Sequence, residues 1–597
     1  MLELIWHFNL LLSNIVMKTI LQKILILHIV IGFVSCSDFL ETTPTSVTPE
    51  TYFKNKEEVK SFLISVYAPL IAETFYGGDY AWQIAAEDLG YYSRTSATGS
   101  VVSGSTSISD VALQNTWRIL YDGINRANMM LENIDRAIPA VADSAVREQY
   151  KSEARFLRAF YYFTLIENFG DLPFRTNTPT DINSLSLART NKEIIYDFII
   201  SEMIASEPYL PTANQVNPGH VTKSALQGIL ARVYLFRAGE GYRESVAAPG
   251  SNVLVYFAEA KKWALKVKNS GLHGLVSPYS QIFIDLAADK YNSTGVKESI
   301  WEVEAAGNRS TTILAAGRIG NKLGFGGPDL SPASGSPYAN ETGLANPGMS
   351  YGYVYCTLRL YDMYESEKDT ARGNWNIAPF SYTTTGSAST LKVTGRKYFY
   401  GKKPASLSTV NFPYTDAKGF VYSIGNATDT LNTSRCIAKY RREYEQVVPK
   451  NRNYTPINFP MLRYSDVLLM IAEADNELND VPSNLAYECL NAVRNRAKIA
   501  AVEVASLSKS QFREVIKKER AMELCYEGTR RFDLIRWGDY VKSMNDLAVL
   551  LETNVRWPLG VKYAANYFKI NKYYLYLPIP AYELSVNKAI LNNNPGW

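Results

Sequence analysis

The chain has 597 residues and a formal net charge of +4, and its 62 Lys and Arg residues are scattered, which argues against a nucleic-acid-binding surface. Its apolar fraction of 46% and charged fraction of 20% are typical of a globular protein with a large core. Four histidines and five cysteines without a CxxC pair argue against a His/Cys metal site. We expect no cofactor, although the sequence leaves an irregular calcium site open.

The first 35 residues are predicted to be an export signal whose true start is Met17. A basic segment with two lysines precedes an apolar run at 24–33, which is too short to cross a bilayer as a stable helix. The run stops just before Cys36, so we predict that this cysteine is lipidated and that the attached lipid includes palmitate. The alternative is an ordinary buried cysteine after a cleaved signal. Residues 36–50 are polar and rich in Pro and Thr, a composition that suits a tether.

The next 250 residues are predicted to form pairs of helices. Asn55 and Glu58 give a helix start of the capping-box kind. Pairs of helical patterns at irregular intervals resemble a degenerate tetratricopeptide solenoid. A stretch at 76–109, rich in Gly, Ser and aromatic residues, is predicted to be a loop. The predicted helices lie at about 55–70, 117–138, 145–168, 222–238 and 256–268.

The middle of the chain changes character, and the last third returns to helical patterns. Residues 298–303 alternate like a short strand, and 317–355 are so rich in Gly and Pro that long regular elements are excluded. Loops of that length in a compact domain are usually functional or disordered, and the tyrosines in this one argue against disorder. Helices are predicted at 464–478, 483–498 and 510–526.

Aromatic residues are unusually frequent, at 12% of the chain with 41 Tyr and 9 Trp. The segments 76–92 and 325–355 combine aromatic rings with Asp, Asn and Gly, which suits a glycan platform: rings cover the apolar faces of sugars, and polar groups satisfy their hydroxyls. Local packing is the alternative for any single ring. The candidate ligand-binding residues are Trp82, Asp88, Tyr91, Tyr92, Arg94, Asn340, Asn346, Tyr351 and Tyr353, with Trp375 as a further candidate of lower weight.

Two groups of charged residues are candidates for catalysis. Glu87 and Asp88 follow Trp82, but adjacent carboxyl groups seldom face one glycosidic bond from opposite sides, as a glycosidase requires. The segment 519–536 carries too many charges for one apolar stripe, and we predict that these charges form structural ion pairs. No catalytic residue is therefore predicted.

Eight short segments, spread in order over nearly the whole mature chain, carry a resemblance to one family. They are 36–41 (CSDFLE), 117–128 (WRILYDGINRAN), 153–173, 358–372, 463–473 (RYSDVLLMIAE), 490–497 (LNAVRNRA), 519–538 (ERAMELCYEGTRRFDLIRWG) and 577–597. On these segments the chain resembles the SusD/RagB family of outer-membrane nutrient-binding lipoproteins of Bacteroidetes.

The resemblance implies a mainly α-helical fold, with a tetratricopeptide-like superhelix and an irregular, loop-rich lobe containing short strands. It divides the body into an N-terminal region at 51–295 and a C-terminal region at 296–597. It also implies a non-enzymatic protein, lipid-anchored in the outer membrane and facing outside. Such a protein captures an oligosaccharide or polysaccharide and delivers it to a TonB-dependent transporter of the SusC type. The alternatives are a peptide-binding member of the same scaffold and, with less support, a glycoside hydrolase.

Overall fold

The computed structural model describes residues 17–18, 52–85, 87–95, 101–137, 143–244, 253–291, 295–307, 315–426 and 435–597. Residues 55–597 form one compact unit, and residues 1–54 form another of which few residues are described. The predicted lipidation site Cys36, most of the export signal and the tether lie outside the described residues. Within the described ranges, no helix combines the length and the apolar character needed to cross a membrane.

Successive helices of 5 to 26 residues build the first half of the compact unit. They are α1 (Lys56–Ile71), α2 (Asp79–Gln83), α3 (Val111–Asn133), α4 (Ser144–Phe169), α5 (Lys192–Ser206), α6 (Lys223–Glu244), α7 (Val253–Asn269) and α8 (Gln281–Ala288). As predicted, Asn55 caps α1, since its side-chain oxygen accepts a hydrogen bond from the backbone N–H of Glu58 at 2.8 Å.

Consecutive helices from α3 to α7 pack against one another, each on the next. Gly123 on α3 permits a close approach to α4, because a Cβ at that position would lie 2.5 Å from a ring carbon of Tyr161. Deeper in the core, Phe156 and Phe160 of α4 pack edge-on against Trp301 at centroid distances of 5.2 and 4.9 Å. The predicted mainly helical fold with a tetratricopeptide-like superhelix is confirmed.

Short strands join distant parts of the chain and give the loop-rich lobe its few regular elements. They are β1 (Gly90–Tyr92), β2 (Leu172–Pro173), β3 (Arg189–Thr190), β4 (Ser299–Val303), β5 (Val354–Cys356), β6 (Phe380–Thr385), β7 (Lys392–Tyr398), β8 (Tyr414–Thr415), β9 (Val421–Ile424) and β10 (Phe459–Arg463). The largest sheet has the order β6–β7–β9–β8, while β4 pairs with β10 and β1 pairs with β5, both antiparallel. The predicted strand at 298–303 is confirmed as β4.

Further helices lie within and after the lobe. They are α9 (Ile319–Lys322), α10 (Leu358–Glu367), α11 (Thr370–Asn376), α12 (Tyr464–Leu478), α13 (Asn484–Arg496), α14 (Lys509–Leu524), α15 (Arg530–Arg536), α16 (Tyr540–Thr553) and α17 (Ala581–Val586). The three helices predicted from the C-terminal apolar stripes correspond to α12, α13 and α14, with ends that differ by at most two residues.

A buried ion-pair cluster fastens the C-terminal helices to the lobe. Glu523 on α14 lies among Arg372, Arg463 and Arg496, with contacts of 3.1 Å to Arg372 and 3.0 Å to Arg463, and a shorter one to Arg496. Arg463 also pairs with Glu298 at 2.6 Å. These side chains are almost wholly buried. The charged residues of the segment 519–536 were predicted to make structural ion pairs that join helix ends, and Glu523 does so.

Candidate functional site

The pairing of β1 with β5 brings the two predicted binding segments together. Tyr91 lies opposite Tyr355 and Tyr92 opposite Val354 in an antiparallel register. The backbone N–H of Ser93 continues the ladder by donating to the carbonyl of Tyr353 at 2.8 Å. The stretch at 76–109, predicted to be a loop, therefore contains a strand whose partner lies about 260 residues later in the chain.

Four half-buried rings lie next to one another at this junction, and we call them the aromatic platform: Trp82, Tyr92, Tyr351 and Tyr353. Tyr351 and Tyr353 stack with centroids 4.7 Å apart and an interplanar angle of 12°. Tyr353 also lies 5.7 Å from Trp82 and 5.6 Å from Tyr92. All four rings were predicted from the sequence as candidate ligand-binding residues, and the structure places them together.

Backbone contacts hold the stacked pair in place. Gly352, between the two tyrosines, has a φ of +57°, which favours glycine, and a Cβ there would lie 3.3 Å from the Cα of Gly326. The backbone N–H of Tyr351 donates to the carbonyl of Asn321 on α9 at 3.0 Å, and its hydroxyl donates to Asn453 at 3.3 Å. The platform is therefore built on fixed backbone positions, so its rings are ordered before any ligand arrives.

Arg94 lies at the edge of the platform with its side chain exposed. Its Nη2 donates to the carbonyl oxygen of Tyr351 at 3.0 Å, and its Cζ lies 5.9 Å from the centroid of the Tyr353 ring. Its own carbonyl oxygen accepts a hydrogen bond from the Tyr567 hydroxyl at 2.5 Å. Arg94, one of the candidate ligand-binding residues, therefore lies beside the rings.

Two tyrosines that sequence reasoning missed extend the platform. Tyr563 and Tyr567 belong to the 3₁₀ helix Leu559–Phe568, are half-buried, and have ring centroids 5.8 Å apart. Burial raises the pKa of Tyr567 to about 12, with added contributions from its neighbours Tyr563 and Tyr92. The two tyrosines close together in the segment YAANYF were the available signal in the sequence.

Three of the predicted ligand-binding residues require correction, because the structure places their side chains in the interior. Asp88, at 0% exposure, pairs with Arg530 and Arg359. Tyr91, at 2%, points inward and packs against Trp557 at 5.1 Å. Asn346, at 1%, donates to the carbonyl of Tyr338 at 3.0 Å and accepts from the backbone N–H of Gly348. Side chains so engaged have no surface to offer a ligand, and we assign them structural roles.

Two remaining candidates lie apart from the rings. Asn340 is exposed in a turn, and no contact found among the described residues joins it to the platform. Trp375 is buried on α11, where the Arg441 guanidinium carbon lies 4.2 Å from its ring centroid. In the described ranges, no group of three or more His, Cys, Asp or Glu side chains is arranged to hold a metal ion.

The adjacent carboxyl groups of Glu87 and Asp88 have opposite electrostatic environments. Burial opposes ionisation of Asp88, but Arg530 and Arg359 outweigh it and hold the pKa of this carboxyl well below its usual range. Burial raises the pKa of Glu87 to about 7, although Arg531 opposes the rise. Both groups lie inside the protein, so they do not form a pair that could flank a bound sugar.

The raised pKa of Glu87 predicts a pH dependence of stability. Between about 4.3, the ordinary value for a glutamate, and about 7, the folded state binds more protons than the unfolded state. The free energy of unfolding should therefore fall as the pH rises through this window. Glu87→Gln stays neutral, so we expect it to lose this slope and to be more stable than wild type at pH 8 by on the order of 1 kcal/mol. Urea unfolding from pH 5 to pH 8 measures both effects. Substitution of an exposed glutamate, Glu514→Gln, is the control. If the free energy of unfolding depends on pH in the same way for wild type and Glu87→Gln, the prediction is contradicted.

The fold and the platform define a helical scaffold protein that presents an aromatic surface where a short helix, a short strand and a loop meet. Two family models match the chain: one described as the SusD family over residues 297–597, and one described as starch-binding, associating with the outer membrane, over residues 38–235. The chain belongs to the SusD family.

Similar proteins cover between 80% and 96% of the chain. The SusD-like protein P25 of Formosa agariphila is 26% identical, over 96% of this chain and 98% of its own length. The starch-binding protein SusD of Bacteroides thetaiotaomicron is 22% identical, over 80% of this chain and 77% of its own. A crystal structure of a SusD homolog from Bacteroides thetaiotaomicron superposes with a TM-score of 0.74 at 25% identity, over 93% of this chain and 99% of that one. A laminarin-binding SusD-like protein has a TM-score of 0.60 at 20% identity, over 91% of this chain and 100% of its own.

Proposed function

We propose that this protein captures an oligosaccharide at the cell surface by stacking sugar rings on the aromatic platform. The observation that carries the proposal is the ordered arrangement of Trp82, Tyr92, Tyr351 and Tyr353, whose rings are only half buried. The C–H faces of pyranose rings are apolar, and aromatic faces cover them while leaving the hydroxyls to polar neighbours such as Arg94. Relatives named as starch-binding, laminarin-binding and surface glycan-binding support this reading.

Binding at such a surface should be modest in affinity. A shallow platform buries little ligand area, and sugar hydroxyls give up hydrogen bonds to water when they bind. The preformed arrangement of the stacked tyrosines offsets part of that cost, because less ordering is required when the ligand arrives.

We further propose that the protein is a lipoprotein of the outer membrane that faces outside and delivers its ligand to a TonB-dependent transporter of the SusC type. The family model that matches residues 38–235 is described as associating with the outer membrane, and Cys36 lies three positions after the apolar run of the predicted export signal. Incorporation of labelled palmitate at Cys36 and co-purification with a transporter from outer membranes test the two parts separately.

The proposed function involves no covalent chemistry and no cofactor. Glu87 and Asp88, the carboxyl groups next to the platform in sequence, are buried and lie close to arginines. A glycosidase needs two carboxyl groups on opposite sides of the scissile bond.

Isothermal titration calorimetry of the protein against a panel of polysaccharides and peptides tests the proposal. We expect binding to at least one polysaccharide, no binding to the peptides, and no release of reducing ends in the same samples. Binding to peptides alone would support the peptide-binding alternative, and newly released reducing ends would support a hydrolase. Either outcome would overturn the proposal.

A further inference from the structure

Arg94 is the charged group at the edge of the platform, and its guanidinium contacts neutral atoms. Nη2 donates to the carbonyl oxygen of Tyr351 at 3.0 Å, and Nη1 approaches the hydroxyl of Ser93 at 3.5 Å. A guanidinium carries five N–H donors in a planar fork. These contacts hold the side chain over the ring of Tyr353 and leave N–H donors for a ligand.

Other cations around the platform are neutralised by acidic side chains. Arg318 pairs with Glu73, Lys322 pairs with Asp79, and the exposed Arg452 pairs with Asp329 at 2.9 Å. Among the described residues, no ion pair includes Arg94. The adjoining residues 96–100, outside the described ranges, read SATGS and contain no acidic side chain.

The positive charge of Arg94 extends over the neighbouring rings. Burial raises the pKa of Tyr92, and the Arg94 cation opposes that rise. Burial also raises the pKa of Tyr563, and the Arg94 cation opposes that rise as well. A ligand seated on these rings would therefore lie within the field of the Arg94 cation.

We infer that the platform selects anionic saccharides, with a uronic acid carboxylate or a sulfate ester held by Arg94 while the sugar ring stacks on the tyrosines. This inference rests on the proposed glycan-binding function. An arginine fork matches the oxygens of a carboxylate or a sulfate and binds them by two parallel, charge-assisted hydrogen bonds. A neutral sugar can use the same donors, but it gains no charge assistance and leaves the cation unpaired.

The test uses the full chain, purified in detergent, and calorimetry at 50 and 300 mM NaCl. The probes are polygalacturonate and its carboxyl-reduced form, and a sulfated galactan and its desulfated form. These two pairs distinguish a carboxylate from a sulfate as the source of the anion. We compare wild type with Arg94→Gln, Arg94→Lys and the control Arg118→Gln; Arg118 is exposed on α3, which contributes no residue to the platform.

We expect wild type to bind an anionic glycan at least about tenfold more tightly than its neutral counterpart, and this preference should become smaller at 300 mM NaCl. Arg94→Gln should weaken binding of the anionic glycan about ten- to a hundredfold, while binding of the neutral glycan changes less than about threefold. Arg94→Lys should retain part of the preference, because it keeps the charge without the fork. Arg118→Gln should bind as wild type does.

Two results would overturn the inference and leave the proposed function standing. One is equal or tighter binding of the neutral glycans by wild type. The other is an Arg94→Gln variant that weakens neutral and anionic glycans by the same factor, which would indicate a purely structural role at the platform. If wild type binds no polysaccharide of the wider panel, the proposed function itself fails and the inference fails with it.

Discussion

Replacing Tyr353 with alanine is expected to remove most of the affinity for a bound glycan. Tyr353 is the central ring of the platform, since it lies within 6 Å, centroid to centroid, of Trp82, Tyr92 and Tyr351. Its loss removes a stacking surface and also frees the neighbouring rings and Arg94 to move. Central aromatic anchors of binding sites cost about 2 kcal/mol or more on truncation, which corresponds to a loss of about thirtyfold in affinity.

The matched control for this prediction is Tyr209→Ala. Tyr209 is exposed in a short 3₁₀ helix outside the platform, so its truncation should leave glycan affinity unchanged. Thermal unfolding of both variants verifies that the fold is retained. If Tyr353→Ala binds glycan as tightly as wild type, the ligand sits elsewhere; the apolar cavity of 310 Å³ beside Trp117 and Tyr121 is then the first place to examine.

Replacing Glu523 with glutamine is expected to be among the most destabilising single substitutions in the C-terminal helices. The side chain is buried among Arg372, Arg463 and Arg496. Glutamine carries no negative charge, so the substitution leaves these three cations without one of their shared partners. Breaking a buried ion pair by removing one partner typically costs about 3–5 kcal/mol. Urea unfolding at pH 7 measures the change in the free energy of unfolding.

The contribution of Glu523 should also persist to low pH. Burial opposes ionisation, but Arg496, Arg463 and Arg372 outweigh it and hold the pKa of this carboxyl well below its usual range. A carboxyl group whose pKa is depressed in the folded state stabilises the fold at every pH above its pKa in the unfolded state. This stabilisation is lost only as the pH falls below the unfolded-state pKa. Wild type and Glu523→Gln should thus differ by a constant amount from pH 8 to pH 5, and the difference should shrink at lower pH.

Asp546→Asn provides the control for the buried cluster. Asp546 pairs with Lys542 at the surface, where both side chains are well exposed. Exposed pairs contribute little, so this variant should differ from wild type by less than about 1 kcal/mol. Equal destabilisation by the two substitutions would contradict the importance assigned to the buried cluster.

The helical body was predictable because helix periodicity is local information. The stripes at 464–478 and 510–526 gave α12 and α14 within one or two residues, and Asn55 marked the start of α1. Family-specific segments then gave the fold as a whole. The division of the body at residue 296 stays a prediction.

The details of the site depended on contacts that the sequence does not display. Tyr91 and Tyr92 are neighbours with the same side chain, yet β1 turns one inward and the other outward, because successive residues of a strand face opposite sides. A loop prediction for this segment implies no such alternation, so it does not distinguish the two tyrosines. Asp88 was also misassigned, because its ion-pair partner Arg530 lies 442 residues away in the sequence and local patterns do not show such a contact.

The short pairing between β1 and β5 has a consequence for how this scaffold can diversify. Main-chain hydrogen bonds fix the backbone positions of Tyr92 and Tyr353, whose rings are only half buried, so other side chains can replace these rings on the same backbone. Exchanging a few outward-facing residues should therefore alter the sugar preference while the inward-facing neighbours and the helices keep their packing. Substitutions confined to these few positions are then enough to alter ligand choice, and transplanting the outward-facing residues of one relative onto another is the direct means of engineering that change.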